Sequence, residues 1–406
     1  MFLAIYFYLL PTIFSMHYVS GQIVVRSIKE ESADVSTSST ETSKLEIKKE
    51  NSAPVPTVTH IAPPLAIKGV YMTSWIASAP SLRNNIVKLA DSTEINTIVI
   101  DIKDYSGKIV FPIEDNPALK AYGSEDVRVK DMPQFIALLH SKGIYVVGRV
   151  AVFQDKYFVT HKPEDAVKNK SGTAVWKDHK GISWVDAGSR EYWDYIVALA
   201  KESYAQGFDE VNFDYVRFPS DGNMKDISFP HSGTNSKPEI IKEFFAYLHN
   251  NLKDTGLKTS ADLFGMTTTS ADDLGIGQVL ENALPYFDYI DPMVYPSHYP
   301  ATFMGYKNPE KYPYEVIKFT MKSAMEREAK LKEKLSTQLA SSSSETTPHL
   351  AILRPWLQDF GLTVDYGSTE VKAQIKATND IGLNSWLLWS ASNKYTVGAL
   401  DSNTER

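Results

Sequence analysis

What most constrains this chain is an alternation of character along its length. Eight runs rich in Val, Ile, Leu and aromatic residues occur between Gly69 and Trp389, and stretches with helical spacing separate them. The runs are Gly69–Trp75, Asn96–Asp104, Ile144–Phe153, the run from Gly207 to Asp214, Lys258–Phe264, Asp288–Tyr295, Leu350–Trp356 and Ser385–Trp389. Helical spacing covers Leu82–Leu89, Met132–His140, Arg190–Ala205, Glu239–Leu252, Gly277–Leu284, Tyr314–Leu335 and Glu370–Asp380. Near-continuous apolar strands alternating with helices describe a parallel sheet covered on both faces. Eight of them predict an α/β fold of the (β/α)8 TIM-barrel type. The chain has 406 residues, of which 43% are hydrophobic and 22% charged, enough for one such barrel and its extras.

The flanks differ in composition. Residues 1–25 carry no formally charged side chain, and the stretch from Phe2 to Phe14 is nearly all apolar. This predicts an export signal or a membrane anchor, and hence an extracellular or surface-tethered protein that meets a membrane only through this segment. Residues 26–64 are rich in Ser, Thr and Pro and are expected to form a disordered tether. The barrel is expected over 65–397, interrupted by a disordered serine-rich insert at 338–348 and followed by a tail at 398–406.

The chemistry is expected where strands end, because a TIM barrel gathers those ends on one face. Here they carry Asp101 with Asp104, Arg149, Asp214 with Arg217, Asp262, Asp291 with Tyr295 and His298, Trp356 and Trp389. A bowl of carboxylates, arginines and aromatic rings suits acetal hydrolysis. One carboxylic acid protonates the leaving oxygen, and a carboxylate attacks the anomeric carbon or activates water. Asp214, set in apolar bulk, is the expected nucleophile or base, with Arg217 as the cation that keeps it ionised. Asp262 in Ser-Ala-Asp-Leu-Phe-Gly is the expected acid, since an apolar surround raises a carboxyl pKa. Asp101 and Asp104 are alternatives for the second carboxylate. The remaining residues are expected to bind substrate, with aromatic planes under the sugar rings and Asp and Arg on the hydroxyls.

Other classes fit less well. Net charge is −7, against the basic face of a nucleic-acid binder. The absence of Cys excludes thiolate nucleophiles and disulfides. No His-Glu-x-x-His, Gly-x-Ser-x-Gly or Gly-x-x-x-x-Gly-Lys motif occurs, and no cofactor is implied. Two rivals stay open. One is a carbohydrate-binding barrel without turnover. The other is a glycan deacetylase or esterase whose metal sits on Asp101, Asp104 and Asp291.

Six segments together resemble a known family. They are Lys68–Thr73, Val99–Asp104, Gly207–Pro219 (Gly-Phe-Asp-Glu-Val-Asn-Phe-Asp-Tyr-Val-Arg-Phe-Pro), Asp291–Tyr299, Arg354–Phe360 and Trp386–Asn393. The set is similar to a bacterial family regarded as glycoside hydrolases, a domain of unknown function distantly similar to α-amylase-type barrels. The resemblance spans Leu65 to Tyr395. It implies a TIM-barrel glycosidase whose nucleophile ends the fourth strand, which falls on Asp214, and it implies no particular substrate. Amylase-type barrels carry a glutamate acid after the fifth strand, where this chain has Asp262.

Overall fold

The computed structural model describes residues 57–341 and 349–403. Its strands are β1 (Lys68–Met72), β2 (Thr97–Lys103), β3 (Tyr145–Ala151), β4 (Glu210–Asp214), β5 (Lys258–Phe264), β6 (Tyr289–Met293), β7 (Ile352–Leu353), β8 (Trp356–Gln358) and β9 (Trp386–Trp389). Every ladder is parallel. Neighbours run in chain order from β1 to β6, β7 and β8 share the seventh place, and β9 pairs back onto β1. The sheet therefore closes into an eight-position (β/α)8 barrel. β7 and β8 flank Arg354 and Pro355, so the seventh position is split where the sequence predicts one run; a proline has no N–H to give the ladder.

Local chemistry sets the helix ends. Arg190–Gln206 begins at Ser189, whose hydroxyl accepts the Tyr192 N–H at 3.2 Å, and it stops at Gly207 with φ 110°. Only glycine adopts that backbone at low cost, and the reversal delivers the chain straight into β4. The expected first strand ends earlier than predicted. Thr73 caps a short helix, Ser74–Ser78, that carries Trp75 away from the sheet. The helix expected over Tyr314–Leu335 runs as Pro313–Ser341, so it enters the predicted insert, whose residues 342–348 lie outside the described residues. The helix expected over Gly277–Leu284 is reduced to Leu280–Ala283.

The core has two compartments. A large one fills the space between strands and helices. A smaller one, including Tyr71, Val99, Tyr145, Val147, Tyr289, Tyr295, Trp356 and Leu387, fills the barrel itself. The predicted export segment lies outside the described residues, as does the tether up to residue 56. Residues 57–64 were counted with that tether, yet their last part packs. His60 stacks on Tyr204 at 3.8 Å, the Ile61 N–H donates to buried Asp209 at 2.9 Å, and Ile61 packs on the barrel's inner core. Asp209 also accepts the Val146 N–H and touches His140 Nε2 at 2.8 Å, so the start of β4 is a structural knot.

Candidate active site

In a strand, alternate residues share a face. On β4 this places Glu210, Asn212 and Asp214 together in the barrel, and contacts across the interior join them to β3, β5, β6 and the β7–β8 connection. The result is a column of buried charge that rises from Glu210 to the C-terminal ends of the strands.

Arg149 is the centre of the upper layer. Its Nη1 donates to Asp101 at 2.6 Å, its Nε to Asp214 at 3.2 Å, and its Nη2 also to Asp214. The same Nε lies 3.9 Å from Asp262 Oδ2. Asp101 and Arg149 are register partners on β2 and β3, which is why they meet. Asp101 also accepts the Tyr71 hydroxyl. Just beyond Asp214, Tyr215 takes a left-handed backbone (φ 54°), and its N–H turns back onto Asp214 Oδ1 at 2.6 Å. A bulky residue in that conformation is strained, and such strain clusters where a site over-determines it. Aromatic rings wall this layer. Trp389 stacks on Tyr71 at 4.0 Å, stands edge-on to Trp356 at 5.6 Å, and has the Arg149 guanidinium 5.0 Å from its centroid.

Asp262 is the more deeply buried, with 1% of its surface exposed against 6% for Asp214. Its Oδ1 accepts from Asn212 Nδ2 and from Trp356 Nε1, each at 2.8 Å. Beneath it, Arg354 donates to both oxygens of Asp291 (2.9 and 2.7 Å) and to Glu210 (2.6 Å), with all three side chains fully buried. Ser260 and Tyr145 donate to Glu210 as well.

Five carboxylates (Asp101, Glu210, Asp214, Asp262, Asp291) thus share two guanidiniums, Arg149 and Arg354. That imbalance in a buried column favours protons on the carboxylates with least support. Asp262 is pushed well above the usual range, first by burial and then by the charges of Asp214 and Asp291. Burial raises Asp291 to about 6 against the opposing pull of Arg354, and it raises Asp101 against Arg149. A group whose folded pKa is raised contributes stability that is complete below about pH 4, the unfolded carboxyl pKa, and is lost as pH rises through the folded value. Asp262→Asn is therefore expected to stabilise the protein by about 1–2 kcal/mol above pH 6. The gain should fade toward pH 4. Calorimetric midpoints at pH 4, 6 and 8 check this, and an equal or negative change at every pH would remove the idea of a strained acid.

The other expected site residues fare differently. Arg217 does not hold Asp214, because Arg149 occupies that role from the neighbouring strand. Arg217 instead donates to the Phe218 carbonyl and Ser220 and lies among Trp184, Tyr215 and Phe264, in the loop after β4. Asp104 lies past β2 and pairs with Arg128 at 2.8 Å. Asp291 faces down to Arg354, so its visible task is structural. Asp101, Asp104 and Asp291 are each engaged by a different arginine, and no group of His, Asp or Glu among the described residues is arranged to hold a metal ion. Tyr295 is buried. Burial, then the charges of Asp262 and Asp214, drive its hydroxyl pKa well up, which marks it as a neighbour of both. His298 packs edge-on against Tyr295 and Phe360 and touches Ser297 Oγ through Nδ1, and burial lowers its pKa to about 4.

Tyr71, Asn212 and Arg354 go unread in the sequence, and Glu210 is left out there because, with Asp209, it lies at the start of its strand, on the far side from the expected site. For Glu210 and Asn212 the signal was present, since both share the parity of Asp214. Arg354 gave only the weaker signal of a charge inside an apolar run.

No curated protein matches the chain. A hypothetical protein from Ruminiclostridium thermocellum is 33% identical, covering 51% of this chain and 98% of its own, with a TM-score of 0.43. The PgaB (BpsB) glycoside hydrolase domain from Bordetella bronchiseptica is 10% identical over 80% of this chain and 94% of its own, with a TM-score of 0.49. An α-galactosidase from Thermus thermophilus is 11% identical over 81% and 62%, with a TM-score of 0.46. The family model described as "Putative glycosyl hydrolase domain" matches residues 69–395, which takes in every strand from β2 to β9 and nearly all of β1. The chain belongs to that glycosyl hydrolase domain family.

Proposed function

We propose that this barrel hydrolyses O-glycosidic bonds of a polysaccharide outside the cell or at its surface. It does so through two carboxylates, with Asp214 as nucleophile or general base and Asp262 as general acid. The observation that carries the reading is the sharing of Arg149 Nε by these two carboxylates, one of them driven toward its protonated form. Two donors occupy Asp262 Oδ1, so its proton belongs on Oδ2, the oxygen nearer Arg149. That oxygen then protonates the departing glycosidic oxygen. The Asp214 carboxylate, aimed by Arg149 and the Tyr215 N–H, meets the positive charge that develops at the anomeric carbon. Asp101 and Tyr71 lock the guanidinium, and Trp389 and Tyr295 supply the apolar wall. Export through the uncharged N-terminal segment belongs to the same reading.

Reducing-end release from a panel of polysaccharides by the full chain tests the activity. Release from at least one is expected, and no release from any, with glycan binding intact, would leave a binding barrel. One observation favours that second reading, namely how little of Asp262 is open to solvent. It can be decided kinetically. Asp262→Asn is expected to lose roughly 10²–10⁴-fold on a natural glycan while keeping most of its rate on an aryl glycoside whose leaving group needs no proton. A raised acid also sets the basic limb of the wild-type pH profile above the ordinary carboxylate range, and that limb should vanish in the variant. Equal losses on both substrates would remove Asp262 from the acid's role.

A further inference from the structure

Arg128, in the loop between β2 and β3, ties two loops at the mouth of the barrel. Its Nη1 donates to Ser74 Oγ at 3.0 Å and to Asp104 Oδ2 at 2.8 Å, and its Nε donates to Asp126 at 2.8 Å. Ser74 follows β1 and Asp104 follows β2, so the knot sits at the C-terminal end of the barrel, the end where Asp101 and Asp214 lie. The residue after each anchor is an aromatic left in water: Trp75 is 60% exposed and Tyr105 57%. These are the most exposed aromatic side chains among the described large hydrophobics.

Trp75 is also held in place. The Arg128 guanidinium lies 4.4 Å from its ring centroid, and the Arg128 side chain is itself only 8% exposed. The short helix that carries Trp75 is capped by Thr73. Thr73 is fixed in turn by Asn393 from the loop after β9, through its N–H at 2.9 Å and its hydroxyl at 3.1 Å. A cation thus backs one face of the indole, and most of the ring meets solvent. Leaving that much apolar surface in water is unfavourable, and nothing in the barrel's packing requires it. A preordered flat ring with an open face fits a partner that is itself flat, apolar on its face and hydroxylated at its edge. A pyranose ring has that character, and a ring already fixed costs little further entropy on binding.

We infer that Trp75, with Tyr105 on the loop that Arg128 ties to its own, forms a distal subsite for a glycan chain of several sugar residues, laid over the β1–β2 side of the mouth. The inference rests on the glycosidase reading for the direction of the chain toward Asp214, and it identifies the substrate class as an extended polysaccharide in preference to a short glycoside. Arg128 is the positioning residue that holds the platform.

The test compares full-length wild type with Trp75→Ala and Trp75→Phe on an oligosaccharide series from two to eight residues of whichever glycan is cleaved. For Trp75→Ala, kcat/KM is expected to fall about tenfold on the longest members, mainly through KM, with disaccharide activity unchanged and Phe restoring most of the loss. A loss equal at every length, or none at any, overturns the subsite while leaving the glycosidase reading in place. If the wild type cleaves nothing, that reading fails separately. Affinity electrophoresis in gels containing each polysaccharide then decides the subsite alone. Retardation of wild type but not of Trp75→Ala supports it, and equal migration of the two overturns it.

Discussion

Asp214→Asn is expected to lower kcat on any cleaved glycan by roughly 10³-fold or more, with glycan affinity little changed. The substitution is nearly isosteric. An amide oxygen still accepts the Tyr215 N–H, and Asp101 still anchors Arg149. What disappears is the negative charge beneath the developing oxocarbenium ion, and that charge has no substitute in the upper layer, where Asp101 is already bound by Tyr71 and Arg149. Rates and midpoints measured side by side separate this role from a structural one. A scaffold residue would cost stability and spare kcat in whatever folds. Turnover within tenfold of wild type would remove Asp214 from the chemistry and shift the role to Asp101.

Arg354→Met should destabilise the fold by about 3–5 kcal/mol at neutral pH, the usual consequence of stranding buried carboxylates. Arg354 is fully buried and makes four contacts to Glu210 and Asp291 within 3.3 Å. Methionine fills much of the same volume, so the loss isolates charge and hydrogen bonding. The cost should shrink as pH falls toward about 6 and level off below it, because Asp291, freed from the pull of Arg354, takes up its proton above the wild-type value. Adding Glu210→Gln should recover part of it, because one stranded charge is gone. Urea titrations of the three proteins at pH 5 and 8 provide the comparison. A loss below 1 kcal/mol at pH 8 would mean that the lower column is not held by this arginine.

These two residues mark the limits of what the sequence disclosed. The barrel itself was legible, because parallel strands covered on both faces must be apolar throughout and helices must separate them; β2, buried from Thr97 to Lys103, is such a strand. The place of Asp214 was legible for a related reason, as a carboxylate ending an apolar run that the fold buries in the barrel. Its partner was not. Arg217 lies three residues away and looked the natural cation, yet the backbone turns at Tyr215 and sends that side chain among the aromatic rings of the loop. Arg149, 65 residues distant, meets Asp214 because β3 and β4 pair with Arg149 opposite Asn212. Asp155, four residues beyond the end of β3, is claimed by buried Lys103 at 2.8 Å, and the register shift after Asp101 precedes that lysine.

The sequence by itself determined the periodicities, the capping signals, the choice of a closed parallel barrel and the strand ends that carry carboxylates, since each depends on residues close together in the chain. Only the tertiary structure decided which carboxylate faces which arginine, that Arg354 holds Asp291, and that burial drives Asp262 toward its protonated form. Those outcomes depend on strand register and on burial around the barrel axis. Charge in a low-dielectric interior is governed by neighbours in space, and eight strands bring such neighbours from across the whole chain.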